Sequence, residues 1–134
     1  MTRYLLVGFG GFLGAIVRYL VATWAARRFG LTFPWGTFAV NISGSFILGF
    51  FATLSARLGW ADGWRLFVAV GFVGAYTTFS TFEWETLGLL ADAKRVGAAA
   101  LNIVGSVAAG LLAAFLGAAL ARVLGTLYAP SSNA

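Results

Sequence analysis

The residues best suited to chemistry lie in one short segment, and they carry hydroxyl or aromatic side chains. Positions 77 to 82 read Thr-Thr-Phe-Ser-Thr-Phe. In a helix, Phe79 and Phe82 share one face because they are three residues apart. Thr77, Ser80 and Thr81 then form a neighbouring stripe of hydroxyl donors. Donors without an accompanying cation suit an anion, and the positive edge of an aromatic ring attracts a small anion weakly.

The alternative for these hydroxyl groups is a bond to a carbonyl group of their own helix. One such residue would be explained in that way. Four hydroxyl residues occupy the five consecutive positions from 77 to 81, and this density favours a path for an anion.

The residues just before this segment indicate a break in the helix. Positions 71 to 76 are apolar and rich in glycine, and two threonines follow. Unpaired carbonyl groups are tolerated at membrane depth only where they are buried or line a cavity. Carbonyl groups freed by a break are ligands for a hard cation.

Composition places this segment inside a membrane. Of the 134 residues, 60% are hydrophobic and only 10% are charged, against roughly 25% charged in a soluble domain. Runs of about 20 apolar residues cross a bilayer, and we predict four spans at about 4–26, 36–57, 65–90 and 96–122. Residues 1–128 then form one transmembrane domain, and residues 129–134 a disordered tail. The length of the first span and the lack of a clear cleavage site argue against a signal peptide.

Several classes of function are disfavoured. The chain has no Cys and no His, so thiol chemistry, Cys-based metal sites and the commonest general base are missing. The loops are too short for a catalytic domain, so we predict that the chain is not an enzyme. The net charge of +5 arises from cations at helix ends, which favours interfacial anchoring over binding of nucleic acid.

The loop charges are balanced between the two sides of the membrane. One side carries four cations, Arg3, Arg57, Arg65 and Arg122, and the other side carries four, Arg27, Arg28, Lys94 and Arg95. Since an excess of Lys and Arg normally fixes orientation, the tie predicts insertion in both orientations and pairing as an antiparallel dimer. A tie in one small protein can also arise by chance.

A short motif recurs in the second and fourth spans. Asn41 begins Asn-Ile-Ser-Gly-Ser and Asn102 begins Asn-Ile-Val-Gly-Ser. Asn is costly in a bilayer unless it meets a partner or a water-filled cavity, so each Asn is either a clamp between helices or part of a pore. Gly8, Gly10, Gly11 and Gly14 give the first span a face of small residues, for which helix packing is the better explanation.

Three motifs resemble those of one family. Residues 71–82 closely resemble the signature of the Fluc/CrcB fluoride channel family, and Gly10 to Tyr19 looks like its first-helix motif. Pro34 to Asn41, with Gly44 and Phe46, looks like its second-helix motif. The resemblance covers the chain except its tail, and the three motifs occur in the right order.

The resemblance implies an all-α membrane protein with four transmembrane helices, the third broken near its middle, assembled as an antiparallel dual-topology homodimer. It implies two pores and a structural sodium ion (Na⁺) bound by the backbone carbonyl groups of Gly74 and Thr77. The implied fluoride pore is lined by Phe79, Phe82, Asn41, Thr37, Ser80, Thr81 and Ser106. Glu85 matches an acidic position near a pore mouth. Many family members carry Tyr near the position of Asn102, so the contribution of the fourth helix is open.

Arg18 has two interpretations. It could attract anions to a vestibule, or its long side chain could extend to the membrane interface. We favour the vestibule.

The function that the resemblance implies is passive export of fluoride across the cell (inner) membrane, which lowers fluoride toxicity. Small multidrug exporters also have four spans and dual topology, but they need a carboxylate inside the membrane, typically in the first span, where this chain has only Arg18. A membrane assembly factor would explain the small-residue faces. It would not explain so many hydroxyl donors beside aromatic rings.

Overall fold

The computed structural model of the protein describes residues 1–128, and within this range every regular element is helical. Helices α1 (Thr2–Phe29) and α2 (Trp35–Leu58) come first. Helix α3, residues 62–76, joins the short helix Asp62–Trp64, the π-helix Arg65–Val73 and the turn Gly74–Tyr76. Helices α4 (Phe79–Leu90) and α5 (Val96–Tyr128) follow, and a short 3₁₀ turn, Ala93–Arg95, precedes α5.

Four helical spans are long and apolar enough to cross a membrane. They are Thr2–Phe29, Trp35–Leu58, Asp62–Leu90 and Ala93–Leu127. The prediction of an all-α, four-span, multi-pass membrane protein is confirmed. The third span begins at Asp62 instead of 65, and the fourth continues to Leu127 instead of ending at 122. The predicted disordered tail, 129–134, lies outside the described residues.

Glycine and basic residues end the first two spans. Gly30 follows α1 with a φ of 77°, and its N–H donates to the carbonyl group of Ala26. Gly59 follows α2 in the left-handed conformation at a φ of 63°, where a side chain would be strained. Arg27 and Arg28 lie in the last turn of α1, where positive charge is favourable to the helix dipole.

Glycine also brings helix backbones into contact. Helix α1 packs on α3, and α2 packs on α5. A Cβ atom at Gly14 would collide with the carbonyl group of Phe72, and one at Gly49 would collide with that of Ala114. The glycine face predicted for the first span is confirmed at Gly14 and equally at Gly10. A Cβ atom at Gly8, in contrast, would meet nothing within 4 Å.

Candidate ion pathway

Two threonines interrupt the helical backbone of the third span. Helix α3 ends at Tyr76, and α4 begins at Phe79. Between them Thr77 has φ −79° and ψ 158°, and Thr78 has φ −151° and ψ 116°, so both backbones are extended. Helical bonding from α3 is therefore interrupted at this point.

Asn41 on α2 holds the extended segment through both polar atoms of its amide. The N–H of Thr78 donates to Asn41 Oδ1 at 2.8 Å, and Asn41 Nδ2 donates to the carbonyl oxygen of Thr78 at 3.1 Å. Asn41 is thus a clamp between helices, as one of the two sequence interpretations expected. It also lines a cleft, described below.

At the break, the N–H groups that would ordinarily bond to the carbonyl groups of Gly74 and Thr77 bond elsewhere. In a continuous helix the N–H of Thr78 would bond to Gly74, and the N–H of Thr81 would bond to Thr77. Here the Thr78 N–H bonds to Asn41, and the Thr81 N–H donates to Thr78 Oγ1 at 3.4 Å. Both carbonyl oxygens named for sodium have lost their ordinary helical donors. Oxygen atoms of this kind suit a hard cation.

Gly44 fixes how closely α2 approaches the break. A Cβ atom there would collide with the Thr77 side chain and lie 3.2 Å from the ring of Tyr76. Two residues after Asn41 on α2, Ser43 Oγ lies 2.8 Å from the hydroxyl group of Tyr76. The polar bonds of Asn41 and Ser43, which precede Gly44, therefore hold the end of α3 and the residues after it against α2.

A central cleft of about 270 Å³ lies beside the break. It brings together five of the predicted site residues: Asn41, Thr77, Phe79, Phe82 and Ser106. The rings of Phe79 and Phe82 are 5.8 Å apart between centroids and inclined by 33°. Among the residues of 1–128 that line this cleft, none is charged. Its polar surface consists of neutral amide, hydroxyl and backbone groups.

A second cavity, the arginine cleft, has a volume of about 300 Å³. It is lined by four further predicted residues, Arg18, Thr37, Thr81 and Glu85. Thr78 lines both clefts, so the clamped segment lies between them. Nine of the eleven predicted site residues thus line one of the two clefts, whereas Gly74 and Ser80 line neither.

The hydroxyl groups of the segment have different partners. Thr77 Oγ1 donates to its own helix, to the carbonyl group of Val73 at 3.0 Å. Thr78 Oγ1 donates to Thr81 Oγ1 at 2.9 Å, so the Thr81 proton remains available to the arginine cleft within the described residues. Ser80 is exposed and lines neither cleft. The predicted stripe of donors is therefore reduced, on this segment, to Thr81 beside a cleft.

Glu85 lies where two cavities meet. It lines the arginine cleft and also a cavity of about 320 Å³ that Arg95 borders. Within residues 1–128, Glu85 Oε2 is buried without a hydrogen-bond partner. Arg95 donates to the carbonyl groups of Leu31 and Thr32 and so ties the first loop to the third. Glu85 therefore lies between the arginine cleft and the two loops that Arg95 joins.

Asn102 is not on the surface of either cleft. Its side chain is fully buried, and its Nδ2 donates to Thr86 Oγ1 at 2.8 Å. Sequence reasoning did not single out Thr86. The available signal was its place four residues after Phe82, which puts both on one face of α4.

Comparison with known proteins identifies the family. The family model described as CrcB-like protein, Camphor Resistance (CrcB), matches residues 5–118. A "Fluoride-specific ion channel FluC" of Acidobacterium capsulatum is 48% identical over 116 residues, which cover 86% of this chain and 92% of that protein. Proteins of the same name from Sulfurihydrogenibium sp. and Thermus thermophilus are 47% and 46% identical, and each covers 92% of this chain. The matches include 100% and 97% of those two proteins. These relatives are named as channels and not as enzymes, in agreement with the prediction for this chain. Together with the motifs and the four-span fold, the matches show that the chain belongs to the CrcB family.

Proposed function

We propose that this protein is a fluoride-selective channel that lets fluoride leave the cytoplasm passively across the cell (inner) membrane. The observation that carries the proposal is the central cleft, where Phe79, Phe82, Asn41 and Ser106 meet without a charged side chain among the described lining residues. The names of the relatives supply the identity of the anion.

The lining suits an anion that must enter and leave. Fluoride loses hydration in a narrow path, and neutral donors can replace part of its water shell. One Nδ2 proton of Asn41 remains after the bond to Thr78, and Ser106 adds a hydroxyl group. Neutral donors hold an anion less tightly than arginine would, and conduction needs binding that is weak enough for release.

The driving force needs no energy source in the protein. Hydrogen fluoride crosses membranes as a neutral weak acid and ionises inside the cell, which traps fluoride there. A negative interior then expels the anion with about 2.3 kcal/mol per charge for each 100 mV. Passive flow through a selective pore is sufficient to lower the toxicity of fluoride.

We further propose that the carbonyl groups of Gly74 and Thr77 bind a structural sodium ion. This proposal is supported by the bonds of the two N–H groups that would ordinarily pair with these carbonyl groups. The Thr78 N–H bonds to Asn41, and the Thr81 N–H bonds to Thr78 Oγ1. Unsatisfied carbonyl groups cost several kcal/mol each in hydrocarbon. A bound cation would supply positive charge that offsets this cost.

A second copy, inverted in the membrane, completes the proposal of two pores. The central cleft and the arginine cleft are open in the single chain, and the ring of Phe79 is 71% exposed. A Cβ atom at Gly74 would meet only the carbonyl oxygen of Ala69, at 3.9 Å. The chain alone therefore leaves room at position 74, and a close second copy would explain a glycine there.

Export of cationic drugs is the weaker alternative. An exporter of that class needs a carboxylate in the membrane. The third span has Asp62 at its exposed first position, Glu83, which is exposed, and Glu85, which shares its cleft with Arg18. A neighbouring arginine disfavours a cationic substrate. The arrangement agrees better with an anion.

Efflux from proteoliposomes tests the proposed function. Purified protein is reconstituted, and release of fluoride is compared with release of chloride under the same gradient and with protein-free vesicles. We expect rapid release of fluoride and little release of chloride. Equal release of both anions, or no release of fluoride above the protein-free rate, would contradict the proposal.

A further inference from the structure

A chain of hydrogen bonds connects α5 with the backbone of Phe82. Ser106 Oγ donates to Asn102 Oδ1 at 3.4 Å, and Asn102 Nδ2 donates to Thr86 Oγ1 at 2.8 Å. Thr86 Oγ1 donates in turn to the carbonyl oxygen of Phe82 at 2.7 Å. The chain begins and ends at residues of the central cleft, because Ser106 and Phe82 both line it.

The direction of the protons in this chain is determined by Thr86. A hydroxyl group has one proton, and Thr86 gives its proton to Phe82. The oxygen of Thr86 must then accept from Asn102, which turns the Asn102 oxygen toward Ser106. Every proton therefore points from α5 toward Phe82, and the Asn102 amide has one orientation that satisfies both of its ends.

Burial makes this pair costly to disturb. Asn102 is 0% exposed and Thr86 is 7% exposed. An amide without partners at such a site carries a large desolvation penalty. The bond of Thr86 to its own helix would be ordinary by itself, but the added bond from a fully buried amide on α5 fixes α4 against α5.

We propose that Asn102 and Thr86 are positioning residues of the ion path. They hold Phe82 at its place in the central cleft through the bonds from Asn102 to Thr86 and from Thr86 to Phe82, and neither lines the cleft itself. This inference rests on the proposed function and adds two residues to its site. The two Asn-Ile-x-Gly-Ser motifs then act alike, since Asn41 holds Thr78 and Asn102 holds Thr86, on either side of the phenylalanine pair.

The bond from Ser106 is the weak link of the chain. At 3.4 Å it is longer than a usual O–H···O bond of about 2.5–3.0 Å. The stronger bonds to Thr86 and Phe82 keep the Asn102 amide in place while Ser106 turns its proton toward an anion. Ser106 can therefore offer its proton to fluoride without disturbing Phe82.

A double-mutant cycle tests the pair. Asn102→Leu and Thr86→Val keep similar volumes and remove the bond from opposite ends, and Thr86→Ser keeps the hydroxyl group. Thr126→Val is the matched control, because the Thr126 hydroxyl also bonds to its own helix, at Val123, outside both clefts. Fluoride and chloride efflux are measured for equal amounts of folded dimer.

We expect each single change to lower fluoride efflux on the order of tenfold, as for the loss of one buried hydrogen bond. We expect the fluoride-to-chloride ratio to fall with it, the double variant to be no worse than the poorer single variant, and Thr86→Ser and Thr126→Val to match the wild type. Additive effects, an unchanged ratio, or full efflux by Thr86→Val would overturn the inference.

Two further comparisons keep the outcomes separate. If Thr86→Val does not fold, Asn102→Ser is compared with Thr86→Ser. We expect Asn102→Ser to lose fluoride efflux, because its side chain is shorter, and Thr86→Ser to keep it. Equal efflux by the two variants overturns the inference. A wild-type protein without fluoride efflux contradicts the proposed function instead. In that case Asn102→Leu should still lower the unfolding temperature together with Thr86→Val, without additivity.

Discussion

The polar side chains near the break have different hydrogen-bond partners, as Asn41, Thr77 and Thr81 show. The Thr77 hydroxyl group donates to the carbonyl group of Val73, and the Asn41 amide oxygen accepts from the N–H of Thr78. Thr81 accepts from Thr78 and keeps its own proton for the arginine cleft. The structural bonds set up the break, and the remaining donors face the cavities. Fewer groups can therefore contact an anion than the count of hydroxyl residues indicates.

Phe79 and Phe82 are the residues with the clearest predicted effect on transport. We expect Phe79→Ile or Phe82→Ile to lower fluoride efflux on the order of tenfold, because isoleucine has no positive ring edge to face the anion. The protein should stay folded, since the apolar character is retained. Phe115→Ile is a control, because Phe115 is 63% exposed on α5 and lines neither cleft. Efflux at the wild-type rate in both Phe79→Ile and Phe82→Ile would remove these rings from the path.

The helices were predictable because the bilayer imposes their length and apolar composition. The four spans, their order and the glycine contact of α1 at Gly14 all followed from the sequence. The hydrogen-bond partners of individual polar groups could not be predicted from the sequence, because they depend on the directions of side chains after the break. Ser80, for example, lies between Phe79 and Thr81 in the sequence, yet it is exposed on α4 and lines neither cleft. Thr86 was missed because its role depends on a contact with α5.

The contact between α1 and α3 predicts a difference between two glycines of the same helix. Gly14→Ala should destabilise the protein by about 1–3 kcal/mol, because the new Cβ atom would overlap the backbone of Phe72. Gly8→Ala should be neutral or slightly stabilising, since nothing lies within 4 Å of its Cβ position and Ala favours helix more than Gly. Thermal unfolding in detergent measures both. Equal unfolding temperatures would show that the contact between α1 and α3 contributes little.

Two properties of the whole molecule bear on its assembly: the loop charges are balanced, and the clefts are open in the single chain. Four cations lie on each side of the predicted topology, and large apolar side chains such as Phe9, Phe79 and Leu111 are more than half exposed in the single chain. In a bilayer such surfaces contact lipid or another copy. Insertion in both orientations would let two copies cover their clefts, which is how the proposed dimer forms.

The balance of charge predicts how orientation responds to small changes. A reporter fused to the C-terminus should report both orientations in comparable amounts. Two lysines added beside Arg3 should favour one orientation, because the excess of cations fixes insertion, and fluoride efflux should fall. Co-expression with a variant biased the opposite way should restore it. A wild-type protein found in one orientation alone would be inconsistent with an antiparallel dimer.

The central claim is that fluoride flows passively through a pore whose sodium ion is structural. The most direct test places equal fluoride on both sides of proteoliposomes, holds the voltage at zero and imposes a sodium gradient in either direction. We predict no net movement of fluoride in either case. A fluoride gradient should drive flux at the same rate for both sodium directions and should need some sodium to be present. Uphill movement of fluoride that reverses with the sodium gradient would identify a coupled transporter and contradict the account.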